Sequence, residues 1–204
     1  MQPHPHHRPK LVRASQSVQG EPSLIISTTA SYTWICDDVG SGADSDVTLF
    51  RPNPDDTSYC ILGDYAQGNY GGPTGNSIIV KAINDDPTAP LLKPAKSWSL
   101  VWTDKGSRGD YDWSVWAAVA PDGYVALGMV ATLGYSAPDI QNYRCVRKDL
   151  AQQSSAPAQI WSDKGSGADN DVTLWGVTGM PNTFVAQANY DAYNGTAYVL
   201  KGIS

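Results

Sequence analysis

The chain has little of what familiar hydrolases and membrane proteins are built from. All three histidines (His4, His6 and His7) sit near the start, so the body that follows offers no imidazole for a Ser-His-Asp triad, a Cys-His dyad or a histidine-rich zinc site. Glutamate is nearly absent: of 20 acidic residues only Glu21 is not an aspartate. Aspartate favours turns and caps where glutamate favours helix interiors, so long helices are not expected. Cys36, Cys60 and Cys145 are odd in number and lack CxxC spacing, which reads as buried free thiols rather than a disulfide framework or a zinc cluster. Basic clusters are missing too, and a net charge of -6 argues against a nucleic-acid partner held by phosphate contacts. No apolar run approaches the ~20 residues of a membrane span and no apolar segment follows Met1, so the expectation is a cytoplasmic or non-classically exported protein.

What is present is repetition. Residues 1–20 are polar and rich in proline and histidine, and read as a flexible tail. From Ser23 onward, short β-branched and aromatic runs alternate with glycine, aspartate and proline. The phrase WICDDVGSGADSDVTLF from Trp34 returns as WTDKGSRGDYDWSVW from Trp102 and WSDKGSGADNDVTLW from Trp161, with a shared aspartate at Asp38, Asp104 and Asp163. Each copy continues with an aromatic-rich alternation (SYCILGDY, GYVALGMV, TFVAQANY) and closes on SIIVKAI, YRCVRKDL or AYVLKGI. Near-regular recurrence marks a repeat architecture, here with units of about 23–90, 91–150 and 151–204. Each unit has room for about four strands of ordinary length and would leave one oily face wet alone. The predicted fold is therefore all-β: one domain over 21–204, a β-prism of three four-stranded antiparallel sheets with pseudo-threefold symmetry, with the β-trefoil as the alternative.

The repeated loop concentrates carboxylates: Asp38, Asp44 and Asp46 in the first copy, Asp104, Asp110 and Asp112 in the second, Asp163, Asp169 and Asp171 in the third. Three readings stand side by side. The loops hold calcium, which takes 6 to 8 oxygens; or the aspartates accept bonds from their own loop amides and close Asx turns; or they bond a sugar or lipid headgroup directly. In the strand after each loop, period-two alternation separates Val172 and Leu174 from Thr173 and Trp175. Phe50, Trp116 and Trp175 are then either outward platforms for a ligand or wedges between sheets. Trp34, Trp102 and Trp161, beside the loops, carry the same two readings.

GDYAQ (Gly63–Gln67), LLKPAKSWSLVWTDKGS (Leu91–Ser107), VAPDGYVALGMV (Val119–Val130) and RCVRKDL (Arg144–Leu150) occur in the order found in the plant and fungal vacuolar protein sorting-associated protein sixty-two family, which the chain resembles from about Trp34 to Leu150. The third copy departs late, where Ala188 is read as replacing Gly63 and Gly128. A weaker likeness is to the β-prism modules of membrane-attack-complex type pore formers. These resemblances imply a fold rather than catalytic residues. The functional expectation is a non-catalytic recognition module that binds glycans or membrane lipid headgroups through its Asp/Gly loops, with calcium as a candidate cofactor and peripheral membrane contact. The alternatives are a toxin or defence protein acting on membranes, and a glycan-processing enzyme using a pair such as Asp169 and Asp171.

Overall fold

The computed structural model describes residues 10–13 and 20–203. A short edge strand, β1 (Lys10–Arg13), precedes the repeats. The first repeat comprises β2 (Ser23–Thr29), β3 (Tyr32–Asp37), β4 (Thr48–Pro52), β5 (Cys60–Ile61), β6 (Tyr65–Gln67) and β7 (Ser77–Ile83). The second follows with β8 (Leu92–Lys93), β9 (Ser97–Thr103), β10 (Trp113–Val119), β11 (Tyr124–Val125), β12 (Val130–Leu133) and β13 (Cys145–Arg147). The third holds β14 (Ala151–Ser154), β15 (Ala158–Ser162), β16 (Thr173–Gly176), β17 (Phe184–Gln187) and β18 (Ala197–Leu200). A 3-10 turn at Lys148–Leu150 is the only helical element among the described residues, as the aspartate-for-glutamate bias predicts.

The chain is all-β, but each repeat divides its strands between two small antiparallel sheets instead of forming the single four-stranded sheet expected. One sheet of each repeat is three-stranded: β3-β4-β6, β9-β10-β12 and β15-β16-β17. The other pairs the first and last strands of the repeat: β1-β2-β7-β5, β8-β13-β11 and β14-β18. The third repeat contributes no counterpart of β5 and β11. Among the described residues no sheet closes into a barrel. Of the stretch read as a flexible tail, residues 10–13 pair with β2, from Lys10 against Ile26 to Arg13 against Ser23, while His4, His6 and His7 lie outside the described residues. Among the described residues no helix is long and apolar enough to cross a membrane.

A bulge at one position sets the faces of the three-stranded sheets β3-β4-β6, β9-β10-β12 and β15-β16-β17. Between Trp34 and Cys36, between Leu100 and Trp102, and between Gln159 and Trp161 one residue is skipped in the pairing. An extra residue on one strand breaks strict alternation. Trp34, Leu100 and Gln159 therefore share the outer face, while Cys36, Trp102 and Trp161 point into the core. The matching core positions are Val47, Trp113 and Val172; Leu49, Val115 and Leu174; and Ala66, Ala131 and Ala186. Trp102, Trp113 and Trp161 pack as a trio with ring centroids 5.0 to 6.0 Å apart. Cys36 and Val47 stand where the second repeat has two indoles, and these smaller side chains leave the trio its volume.

Where the three repeats meet, strand register brings Gly63, Gly128 and Thr183 to equivalent positions, two residues before Tyr65, Val130 and Val185. The third-copy counterpart of the two glycines is thus Thr183 and not Ala188. Backbone bonds link the repeats there: Gly128 N to Leu62 O at 2.9 Å, Asp64 N to Met129 O at 3.0 Å and Met129 N to Phe184 O at 3.0 Å.

Candidate functional site

The aspartate loops do three separate jobs. The first carboxylate of each loop is buried and closes its own turn. Asp163 accepts the Val172 amide at 2.8 Å, the Ser166 hydroxyl at 2.8 Å and the Tyr190 hydroxyl at 2.9 Å. Asp38 accepts from Val47, Ser41 and Tyr70, and Asp104 from Trp113, Ser107 and Tyr135, in the same pattern. The second carboxylate reaches into the next loop: Asp44 lies over Gly165, Asp110 over Gly40 and Asp169 over Gly106. Those three glycines have φ between +81° and +89°, and a Cβ on any of them would strike the incoming carboxylate. The same aspartates donate their amides across the junction, to Lys164 O, Val39 O and Lys105 O at 2.7 to 2.8 Å. Each loop thus grips the next around a closed ring.

The third carboxylates, Asp46, Asp112 and Asp171, lie beside the tyrosines that reach the first. Burial, then the bond to Asp38, Asp104 or Asp163, holds the phenols of Tyr70, Tyr135 and Tyr190 well above their usual range, so all three remain donors. Lys105 and Lys164 stand over the Tyr135 and Tyr190 rings at 4.9 and 5.1 Å. These tyrosines were missed in the sequence; their signal is the recurring small-or-Asn-Tyr step in AQGNY, TLGY and AQANY. Among the described residues no group of three His, Cys, Asp or Glu side chains is placed to hold a metal ion. Asp169 and Asp171 lie in a bend before β16, not on a strand, and address different neighbours. Asp163→Ala strands an amide and two hydroxyls, and its expected cost is about 2 kcal/mol in urea unfolding, given that the hydroxyls can turn to water; an unchanged midpoint would contradict this closing role.

Five of the six aromatic candidates are not surface platforms. Trp102 and Trp161 are in the core trio and donate their indoles into the neighbouring loop, to Asn170 O at 2.7 Å and Ser45 O at 2.9 Å. Phe50, Trp116 and Trp175 are at least nine-tenths buried, Phe50 against Tyr32 and Tyr65 and the two indoles within apolar clusters, because such large apolar surfaces gain more there than in water. Trp34 is different. The bulge turns it outward at 39% exposure, where it meets Tyr111 of the second loop, 43% exposed, edge-on with centroids 5.1 Å apart. Exposed Leu133 ends β12, which packs beside β3. Asp37 lies beneath: burial raises its carboxyl above the usual range, the Val39 amide and the Trp34 indole pull it back, and the charges of Asp38 and Asp110 add to the rise. An aromatic pair with a carboxylate at its foot can stack on an apolar ring face and accept hydrogen bonds from that ring's substituents.

The sequence of residues 13–192 matches the family of vacuolar protein sorting-associated protein 62. The chain belongs to that family. Its likeness to a solved structure extends this: GNIP1Aa from Chromobacterium piscinae shares 32% identity with a TM-score of 0.71, over 84% of this chain. This Vps62-family chain spans only 34% of the GNIP1Aa chain. No curated protein matches it. The family match extends beyond the Trp34–Leu150 span legible from motifs and takes in most of the third repeat.

Proposed function

We propose that this Vps62-family chain is a non-catalytic recognition module of β-prism architecture, with three sheet pairs around a pseudo-threefold axis, and that it binds neutral glycans at the Trp34–Tyr111 pair. The observation that carries the reading is this exposed pair, held by a rigid ring of loops and backed by Asp37. A sugar ring has an apolar face for the aromatics and hydroxyls for the carboxylate. The net charge of -6 disfavours an anionic lipid surface as first partner. That a similar unit occupies about a third of the GNIP1Aa chain supports a module that serves a larger assembly.

The test is a neutral-glycan array followed by titration of the best hits. Trp34→Ala and Tyr111→Ala are each expected to weaken binding about tenfold, since a lost stacking contact is worth about 1 kcal/mol or somewhat more. Both side chains are half-exposed, so melting should stay within a few degrees of wild type. Equal affinity in both variants, or no glycan bound by the wild-type chain, would remove the reading. The coverage of a longer chain also supports an alternative in which the unit targets a membrane-acting toxin or defence protein. Dye release from neutral vesicles by the purified chain would favour that alternative, and intact vesicles would disfavour it.

A further inference from the structure

The loop between β17 and β18 carries the one Asn-Gly step in the chain, Asn194-Gly195. Its counterpart in the first repeat is Thr74-Gly75, since each loop is held by a glutamine that accepts the same main-chain amide: Gln67 Oε1 from Thr74 N at 3.1 Å, and Gln187 Oε1 from Asn194 N at 2.9 Å. The two side chains then part company. Thr74 Oγ1 is bonded to Gln67 Oε1 and to the Tyr65 hydroxyl, each at 3.1 Å. In the third repeat Val185 stands where Tyr65 does, and the carboxamide of the exposed Asn194 has no hydrogen-bond partner among the described residues.

The amide that follows is free as well. Gly195 is exposed, and among the described residues its N–H donates to no group. Packing keeps this position a glycine, because a Cβ there would strike the ring of Tyr193, which lies against the apolar core. No side chain on residue 195 therefore crowds the approach of its nitrogen to the Asn194 carboxamide. The other asparagines lack this combination. Asn69, Asn182 and Asn189 hold their side chains in hydrogen bonds. Asn53 precedes Pro54, which has no N–H, and Asn76, Asn84, Asn142 and Asn170 precede Ser77, Asp85, Tyr143 and Asp171, whose side chains stand beside the attacking nitrogen.

We propose that Asn194 is a site of spontaneous deamidation, at which the Gly195 nitrogen closes a five-membered ring on the neighbouring carboxamide. A bond forms between Gly195 N and Asn194 Cγ, the Cγ–Nδ2 bond breaks, and the proton lost by the Gly195 nitrogen passes through solvent to the departing nitrogen, which leaves as ammonia. Water then opens the cyclic imide at either carbonyl, leaving aspartate or an isoaspartyl link in which the main chain runs through the former side-chain carbon. The reacting atoms belong to adjacent residues, so ring closure costs little entropy. Either product adds one negative charge to the net -6. The isoaspartyl product also lengthens the main chain by one atom between the Gln187 anchor and the start of β18, where Ala197 pairs with Ser154. The reaction needs only water and is independent of sugar binding at the Trp34–Tyr111 pair.

Peptide mapping by mass spectrometry tests the site after the full chain has stood for days in mildly alkaline buffer, beside a sample unfolded in urea. In the folded sample the Asn194 peptide should be progressively lost to two products, each heavier by one mass unit, with isoaspartate in excess of aspartate. Peptides holding the other asparagines should keep their mass. An isoaspartyl methyltransferase supplied with S-adenosylmethionine should methylate the more abundant product. Asn194→Gln, whose extra methylene demands a six-membered ring, should survive the same incubation unmodified and melt with the fresh wild-type chain, since the bond to Gln187 is made by the main chain. An Asn194 peptide that stays intact in the folded chain while the urea sample converts overturns the proposal, because the fold then keeps the two atoms apart. Aspartate without isoaspartate overturns the cyclic route, and faster conversion at another asparagine overturns the assignment to Asn194.

Discussion

Gly128→Ala is expected to destabilise the protein by about 3 kcal/mol, near the upper end of ordinary overpacking costs, because its added methyl has nowhere to go. Its Cβ would lie 2.7 Å from Thr183 Cγ2, 2.8 Å from Leu62 O and 3.0 Å from Gly63 Cα. Two of these three neighbours are backbone of another repeat, and they are tied by the bond from Gly128 N to Leu62 O. The clash therefore pushes repeats apart instead of turning one rotamer. For a chain of this size the shift in melting temperature should be roughly 6 to 12 °C. Thr183→Ser removes the offending Cγ2 while leaving the hydroxyl that donates to Pro181 O. It should rescue part of the loss in the double variant and cost little alone. A Gly128→Ala melt equal to wild type would mean the repeats do not meet at this point.

The second large effect is expected at Arg51. Asp64 is fully buried, and Arg51 grips it with two bonds of 3.1 and 3.0 Å while the Ala131 amide from the second repeat donates to it at 2.9 Å. Arg51 also donates to Ala131 O at 2.6 Å, so the pair joins two repeats. Arg51→Ala leaves a carboxylate in the interior without its cation, a change that costs about 3 to 5 kcal/mol. Arg51→Leu combined with Asp64→Leu should recover most of that, because it removes both charges.

The pH dependence of this pair has a definite sign. Burial raises the Asp64 carboxyl above its ordinary range even against the pull of Arg51 and the Ala131 amide. Between the ordinary carboxylate range and the raised folded value, the folded state therefore keeps a proton that the unfolded chain has given up. This contribution favours folding most at low pH, and it falls as pH rises from the ordinary carboxylate range through the raised folded value. Loss of Arg51 moves the folded value higher, so urea unfolding should show Arg51→Ala less destabilised at pH 4 than at pH 8. The opposite order would show that Asp64 is not held in a dry interior.

The triplication was legible because each copy keeps the aspartate that closes its loop: Asp38, Asp104 and Asp163 accept the same three kinds of donor, so each needs the same neighbours in the chain. The burial of Phe50, Trp116 and Trp175 was one of two open readings, and the size of their apolar surfaces decided it. The faces of β3, β9 and β15 were not legible. Alternation counted from Trp34 puts Cys36 on the same side, and only the bulge, a feature of pairing geometry, separates them. Nor was the ring of loops, because the contacts of Asp44 with Gly165, Asp110 with Gly40 and Asp169 with Gly106 join residues far apart in sequence. Aligning copies by their tryptophans set Trp34 beside Trp102 and Trp161, whereas register pairs those two with Cys36. The one exposed aromatic of the six thus stood out only once strands were paired.

The seven tryptophans make the central claim directly testable. In a titration of isotope-labelled protein with neutral oligosaccharides, the indole N–H signals report each ring separately. The account predicts that the Trp34 signal moves saturably while those of Trp102, Trp113 and Trp161 stay fixed. Shifts confined to the buried trio, or none at saturating sugar, would contradict it.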